Sequence, residues 1–266
     1  MSSRTVALAC LVTSTLLTLV AAPAQAATGY TSTDYVALGD SYSSGVGAPG
    51  QHGLCLRGSS GYPAQWARRN DPASFTDLAC AGATTGDVLM FQAPFIRRRT
   101  DLVTITIGGN DAGFAPAVIS CTVSTDAACA DVVATAHDVV TRQLPAKLDA
   151  TYRAIRRQAP AATVVVLGYP VLFDTANANC GIGGMSLAKR RALDSGAQDL
   201  DDLIAQRAHA AGFIFADVRG AFAGHGICAA SPWINGLVIL PPTDSFHPNT
   251  SGYTYGYLPA LSAAVG

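Results

Sequence analysis

Apolar and polar positions change rhythm repeatedly along the chain. Tyr35–Leu38, Phe75–Ala79, Leu102–Ile107, Thr163–Leu167 and Phe213–Ala216 are short apolar or β-branched runs, and each predicts a strand. The third, Leu-Val-Thr-Ile-Thr-Ile, is β-branched almost throughout, as suits a strand covered on both faces. Between the runs the apolar spacing lengthens to three and four residues. Tyr62–Arg69 predicts a short helix and Asp131–Gln158 a long one that Pro145 bends or divides. Leu187–Ala211 predicts a helix with Leu193, Leu200, Leu203 and Ile204 on its apolar side. A last helix is expected after Asn249, whose formal glycosylation sequon, Asn249-Thr250-Ser251, reads as a helix cap. This alternation predicts an α/β fold: a parallel sheet between two helical layers, with ligands at the carboxyl ends of the strands.

The first residues follow a different pattern. Arg4 precedes an apolar run from Val6 to Ala22, and Ala24-Gln25-Ala26 fits a small-x-small cleavage site. Residues 1–26 therefore read as a cleaved signal peptide and 27–266 as a single domain. The run is shorter than the roughly 20 apolar residues of a membrane span, and Thr13, Ser14, Thr15 and Thr18 dilute it. No later stretch is apolar enough to span, so no transmembrane anchor is expected after cleavage. Cys10 falls inside the signal.

Removing it leaves Cys55, Cys80, Cys121, Cys129, Cys180 and Cys228, an even set that implies disulfides and a secreted protein. About 15 pairings are possible for six cysteines. The sequential set, Cys55–Cys80, Cys121–Cys129 and Cys180–Cys228, is preferred because each bridge closes a loop rich in Gly, Ser or Asn.

Charge narrows the function further. The net charge is −1 with only two lysines, Lys147 and Lys189, so nucleic acid is not an expected partner. Arg97-Arg98-Arg99 is the one basic run and reads as a solvated helix end or turn. Every acidic residue is Asp, which excludes H-E-x-x-H metalloproteases. No C-x-x-C and no histidine pair at helical spacing suggest a metal, and no cofactor is expected. Gly45-Val46-Gly47-Ala48-Pro49-Gly50 matches G-x-G-x-x-G, but Pro49 and Gln51-His52-Gly53 do not open the helix a dinucleotide site requires. There is no G-x-S-x-G nucleophile elbow. A monomer is expected.

Chemistry-bearing residues gather just past the predicted strands. Gly39-Asp40-Ser41 follows the first, Ala81-Gly82-Ala83-Thr84-Thr85-Gly86 the second and Gly108-Gly109-Asn110-Asp111 the third, while Asp244-Ser245-Phe246-His247-Pro248 lies near the C-terminus. Each fragment alone is ordinary loop material. Together they hold what acyl transfer needs: a hydroxyl, a base to take its proton, and donors for a developing oxyanion. Ser41 is the candidate nucleophile and His247 the general base, with Asp244 as the orienting acid. The backbone N–H groups of Ser41 and Gly82 and the side-chain amide of Asn110 are the candidate oxyanion hole. Protonation of His247 is expected to abolish activity with an apparent pKa of about 6–7. His52, His137, His209 and His225 lack this context.

The ordered set resembles the SGNH, or GDSL, hydrolases. The Ser of GDS is Ser41, the loop Gly is Gly82, the Asn of GxND is Asn110 and the His of DxxH is His247. These blocks span nearly all of residues 27–266, and "GDSYSSG" with six cysteines looks most like the secreted lipases and esterases of actinobacteria. Tyr42 stands where the name-giving motif has Leu. The resemblance implies a three-layer α/β/α flavodoxin-like fold with a central, mostly parallel five-stranded sheet. It also implies a serine carboxylic-ester hydrolase whose substrate is a small-molecule or lipid ester, with acylglycerols or phospholipids first. Some secreted members orient the histidine with a backbone carbonyl, which here would come from Asp244 or Ser245. The alternatives are an acetyl esterase of acetylated polysaccharide and, in another class, a non-catalytic lipid- or carbohydrate-binding module. The apolar segment Trp233–Leu240 is expected to pack as core rather than to wall a substrate groove.

Overall fold

In the computed structural model, residues 29–178, 180 and 185–266 are described; the predicted signal peptide and Cys10 lie outside them. In chain order the strands are β1 (Asp34–Gly39), β2 (Gln51–His52), β3 (Arg57–Gly58), β4 (Ser74–Asp77), β5 (Leu102–Thr106), β6 (Thr163–Leu167) and β7 (Ile214–Ala216). The helices are α1 (Ser41–Ser44), α2 (Tyr62–Asn70), α3 (Thr85–Asp87), α4 (Phe114–Val123), α5 (Asp126–Arg142), α6 (Leu144–Gln158), α7 (Leu187–Ala210), α8 (Arg219–Phe222) and α9 (Leu258–Val265).

Five strands form one parallel sheet in the order β4-β1-β5-β6-β7, while β2 and β3 make a small antiparallel hairpin. All residues of β5 are buried, as its β-branched sequence requires of a strand covered on both sides. Helices α2 and α9 pack on one another, α5, α6 and α7 form a second group, and both α7 and α9 lie on β6 and β7. The chain runs from β1 outward to β4, crosses back over β1 to β5, and continues in one direction to β7. Strand order therefore reverses at β1 and β5. In parallel sheets a crevice opens at such a reversal, beyond the carboxyl ends of the strands. That is where the chain places Ser41 and Asn110.

The predicted strands appear with small shifts at their ends. The second extends beyond β4 as irregular chain, yet Leu78 and Cys80 still donate to the carbonyls of Ala37 and Gly39, at 2.8 and 3.0 Å. Pro145 does divide the long helical pattern: α5 ends at Arg142, and Pro145 sits in the first turn of α6, where its missing N–H costs nothing. The first of these helices begins five residues before the expected start because Thr125 caps it, its hydroxyl accepting from Ala128 N–H. Asn249 likewise caps the last helical segment, accepting from the N–H groups of Ser251 and Gly252 at 2.9 and 3.2 Å. That segment starts as a wide turn, Gly252–Tyr257, before becoming α9.

The expectation for Trp233–Leu240 needs correcting. Only Ile234 is fully buried, while Leu237, Ile239 and Leu240 are exposed. The segment runs over the surface and leads into the loop of His247, so most of its apolar side chains have no core to enter.

The three disulfides pair Cys55 with Cys80, Cys121 with Cys129 and Cys180 with Cys228. The first joins the β2–β3 hairpin to the loop after β4, and Ala81 N–H donates to Cys55 carbonyl beside it at 3.0 Å. Replacing Cys55 and Cys80 together by serine is expected to remove about 2–4 kcal/mol, lowering Tm by roughly 5–15 °C in scanning calorimetry. An unchanged Tm would show that other contacts hold the hairpin.

Candidate active site

The turn out of β1 begins with backbone that only glycine accepts easily. Gly39 has φ +121°, and a Cβ there would lie 2.3 Å from the Thr106 carbonyl of the neighbouring strand. The buried side chain of Gln92 clasps this residue from both sides, accepting from Gly39 N–H at 2.7 Å and donating to its carbonyl at 2.9 Å. Asp40 follows as the N-cap of α1, its carboxylate accepting from Tyr42 N–H at 2.9 Å. Ser41 is thus the first residue of a short helix at the sheet's carboxyl edge, and it is nearly buried.

His247 reaches it from the far end of the chain. Its Nε2 lies 2.7 Å from Ser41 Oγ, and its Nδ1 lies 2.9 Å from the Ser245 carbonyl. A carbonyl only accepts, so Nδ1 carries the proton and donates. In the neutral ring Nε2 is then an acceptor, and the Ser41 hydroxyl donates to it. This is the protonation state in which the hydroxyl's proton can pass to the ring as oxygen attacks a carbonyl carbon.

The orienting group differs from the expected Asp244 carboxylate. Asp244 Oδ1 accepts from Gln51 Nε2 at 2.8 Å, tying the His loop to the β2–β3 hairpin. The ring nitrogen bonds to Ser245 carbonyl instead. Asp244, with Pro242 and Thr243, forms a tight turn, and the chain extends again at Ser245, so the main-chain oxygen two residues before the histidine meets Nδ1. Phe246 between them has φ +62°, uncommon for a bulky residue. Tyr42 helps hold it there: the Tyr42 hydroxyl donates to Phe246 carbonyl at 2.7 Å, and its ring lies 5.2 Å from that of His247. Tyrosine at this motif position therefore links the two ends of the site.

The remaining blocks converge on the same crevice. Asn110 Nδ2 donates to Ala83 carbonyl at 2.9 Å, and Asp111 accepts from Thr85 N–H at 2.8 Å and Thr85 hydroxyl at 2.7 Å. These bonds lock the loop after β5 to the loop after β4. Gly82 has φ +79° and open space on its Cβ side. Neither Ser41 N–H nor Gly82 N–H donates to another described residue, and both residues line the same cavity as Asn110 and His247. The four other histidines lie elsewhere. His137 pairs with Asp199 at 3.0 Å, and His225 stacks on Trp233 with ring centroids 3.7 Å apart. Among the described residues no cluster of His, Cys, Asp or Glu could hold a metal.

The cavity beside Ser41 has a volume of about 260 Å³. Val46, Leu56, Phe114, Val118, Ile119 and Leu172 give it apolar walls. Helix α4 supplies three of these residues and was not anticipated. Its sequence, FAPAVISCTV, is apolar nearly all round and carries no polar face to mark a helical period. Tyr169, just past β6, also lines the cavity and donates from its hydroxyl to Asp40 Oδ2. Sequence reasoning marked three strand ends and passed over this fourth one, Gly168-Tyr169-Pro170.

A hydroxyl held on a neutral imidazole, beside unengaged backbone N–H groups and an apolar cavity, is the site of an enzyme that hydrolyses esters. Comparison with known proteins agrees. Residues 37–255 match the GDSL-like Lipase/Acylhydrolase family, and the chain belongs to it. A lipase of Streptomyces rimosus is 45% identical over 97% of this chain and 96% of its own. Lipase 1 of Streptomyces coelicolor is 44% identical over 92% and 91%. The crystal structure of the extracellular S. rimosus lipase superposes with a TM-score of 0.84, covering 88% of this chain and 100% of that one. That of phospholipase A1 from Streptomyces albidoflavus NA297 has a TM-score of 0.85 at 43% identity, covering 88% and 99%.

Burial disfavours the charged ring of His247 and pushes its pKa down to about 4, against smaller opposing effects of the Ser245 bond and nearby Asp244. The neutral ring, which accepts the serine proton, therefore persists well below pH 6.5 and is lost only as pH falls through the lowered value. A ¹⁵N NMR titration of His247 is expected to show its midpoint far under the ordinary histidine range; a midpoint of 6–7 would contradict this. Asp244→Ala is expected to keep kcat within about ten-fold of wild type. Losing an aspartate that truly orients the histidine costs about 10⁴-fold.

Proposed function

We propose that the protein is a secreted lipase or esterase that cleaves fatty-acyl esters, such as acylglycerols or phospholipids, through an acyl-enzyme on Ser41. Ser41 Oγ attacks the ester carbonyl while its proton moves to His247 Nε2. The Ser245 carbonyl holds the imidazolium that forms. The carbonyl oxygen, now bearing negative charge, is met by Ser41 N–H, Gly82 N–H and Asn110 Nδ2. Collapse expels the alcohol, which takes the proton from Nε2. A water then repeats the sequence on the acyl-enzyme and releases the acid.

The observation that carries this reading is the 2.7 Å contact between Ser41 Oγ and an imidazole whose tautomer a carbonyl sets. The choice of a fatty acyl chain is supported by the cavity's apolar walls and by what borders them. Ile119 both lines the cavity and is exposed; exposed Val123 is one turn further along α4; exposed Leu240 lies two residues before Pro242 at the cavity wall. The relatives named as lipases and the neighbour named as a phospholipase A1 support the same choice. Action outside the cell is supported by three disulfides, which form in oxidising compartments. Among the described residues no helix is long and apolar enough to cross a membrane.

Ser41→Ala is expected to lower kcat by about 10⁶-fold and Asn110→Ala by about 10²–10³-fold, measured on a soluble p-nitrophenyl ester. A panel from acetate to palmitate, with a phospholipid alongside, tests the substrate. Higher kcat/KM on longer chains is the expected result. A maximum at acetate would transfer the reading to acetylated carbohydrate, and no phosphonate adduct on Ser41 would leave only a binding module.

A further inference from the structure

We infer that Tyr169 is a positioning residue of the reaction, joining the strand end that carries the nucleophile to the strand end that carries Asn110. Its hydroxyl stands between them. It accepts from Gly109 N–H at 3.0 Å and donates to Asp40 Oδ2, while the other oxygen of Asp40 caps the helix that begins at Ser41. One phenol oxygen therefore sets the spacing between the residue before Ser41 and the residue before Asn110. The two side chains proposed to handle the hydroxyl and the oxyanion are registered to each other through it. The inference rests on that proposed role of Ser41.

Three features show a residue held for this purpose. Tyr169 is fixed at its own backbone, where its N–H donates to Oδ1 of buried Asp201 at 2.7 Å, and Tyr257 hydroxyl donates to the preceding carbonyl of Gly168 at 2.9 Å. The ring packs edge-on against Tyr42, with centroids 5.1 Å apart, so the residue that steadies Phe246 and the one that steadies Asp40 brace each other. Finally, position 109 is shaped to receive it. A Cβ there would lie 3.2 Å from both Cζ and the hydroxyl oxygen of Tyr169, closer than packed side chains normally approach. A Cβ at this place in Gly-Gly-Asn-Asp would press on the tyrosine by a few tenths of an ångström, which glycine avoids.

The contact has an electrostatic consequence. Asp40 is buried, which raises its pKa to about 7, while the bond from Tyr169 and that from Tyr42 N–H favour the ionised form. Asp111, beyond β5, faces it and raises it further; Asp111 itself pairs with Lys147 at 3.4 Å. Tyr42, Tyr62 of α2 and Tyr253 of the Gly252–Tyr257 turn are the other titratable groups that feel its charge. Removing the Tyr169 hydroxyl takes away a donor that favours the carboxylate, so Asp40 then ionises at a higher pH. Activity that depends on the charged cap is lost as pH falls through that value, and the loss begins earlier. His247 titrates far below and does not move with it.

Tyr169→Phe keeps the ring and deletes only the hydroxyl. A bond to a charged group typically accounts for about 10- to 100-fold. The expected result is a kcat reduced by that factor on a short p-nitrophenyl ester, a KM within about two-fold of wild type, and a near-neutral limb of the kcat–pH profile moved upward. Tyr152→Phe serves as the control for deleting a buried hydroxyl; that hydroxyl has no hydrogen-bond partner among the described residues, and activity should be unchanged. The proposal is overturned if Y169F retains kcat within two-fold, if KM rises by the whole factor lost, or if the limb stays in place. Should Y169F not fold by circular dichroism, Asp40→Asn keeps an oxygen to cap α1 but removes the charge that the Tyr169 hydroxyl stabilises, so the near-neutral limb must disappear; a limb that persists overturns the proposal equally. Ser41→Ala measured in parallel separates the two readings: an active S41A removes the nucleophile, whereas an inactive S41A with a wild-type Y169F removes only the role of Tyr169.

Discussion

A peptide carbonyl can accept a hydrogen bond but never donate one, and the chemistry of this site follows from that restriction. Because Ser245 offers a carbonyl to Nδ1, the imidazole of His247 must carry its proton on that side and present a lone pair to Ser41. For the neutral ring that burial favours, no other tautomer leaves both contacts attractive. The position of the Ser245 oxygen in turn depends on the tight turn at Pro242–Asp244, on the left-handed Phe246 and on the Tyr42 hydroxyl that grips it. The sheet brings α1 to the crevice, but this main-chain oxygen decides what the crevice can do.

A carboxylate in the same place would hold the imidazolium more strongly and raise the ring's pKa. Here the Asp244 carboxylate is occupied by Gln51, and burial prevails over its attraction. In the proposed reaction this arrangement gives up part of the electrostatic support for the imidazolium and gains a ring that stays neutral in acid. The ring of Tyr42 packs beside those of both Tyr169 and His247, with centroids 5.1 and 5.2 Å away.

How much of this was legible beforehand depends on which atoms carry it. The five sheet strands were readable because β-branched runs need no partner to declare themselves; their ends shifted only where side-chain caps and glycine turns intervened. Ser41, Gly82, Asn110 and His247 were readable as candidates because parallel strands deliver polar residues to one edge. The Ser245 carbonyl was not, since every residue has one and only backbone torsion aims it; Asp244 at the right spacing was the natural but misleading choice. Helix α4 was hidden by having no polar face, and Leu237, Ile239 and Leu240 by the opposite problem, apolar character with nothing to pack on. Tyr169 stood at a strand end like the others, in a chemistry not looked for there.

Much of the proposed site is main chain: the Ser41 and Gly82 amides and the Ser245 carbonyl. Apart from proline at 41 or 82, which would remove an N–H, point substitution can displace such groups but cannot delete them. Gene drift at residues 244 and 245 therefore leaves the oxygen behind whatever side chain arrives, so long as the turn survives. The hydroxyl at 41, the ring at 247, the amide at 110 and the Tyr169 hydroxyl that registers them are the side-chain groups of the proposed centre that a single codon can erase.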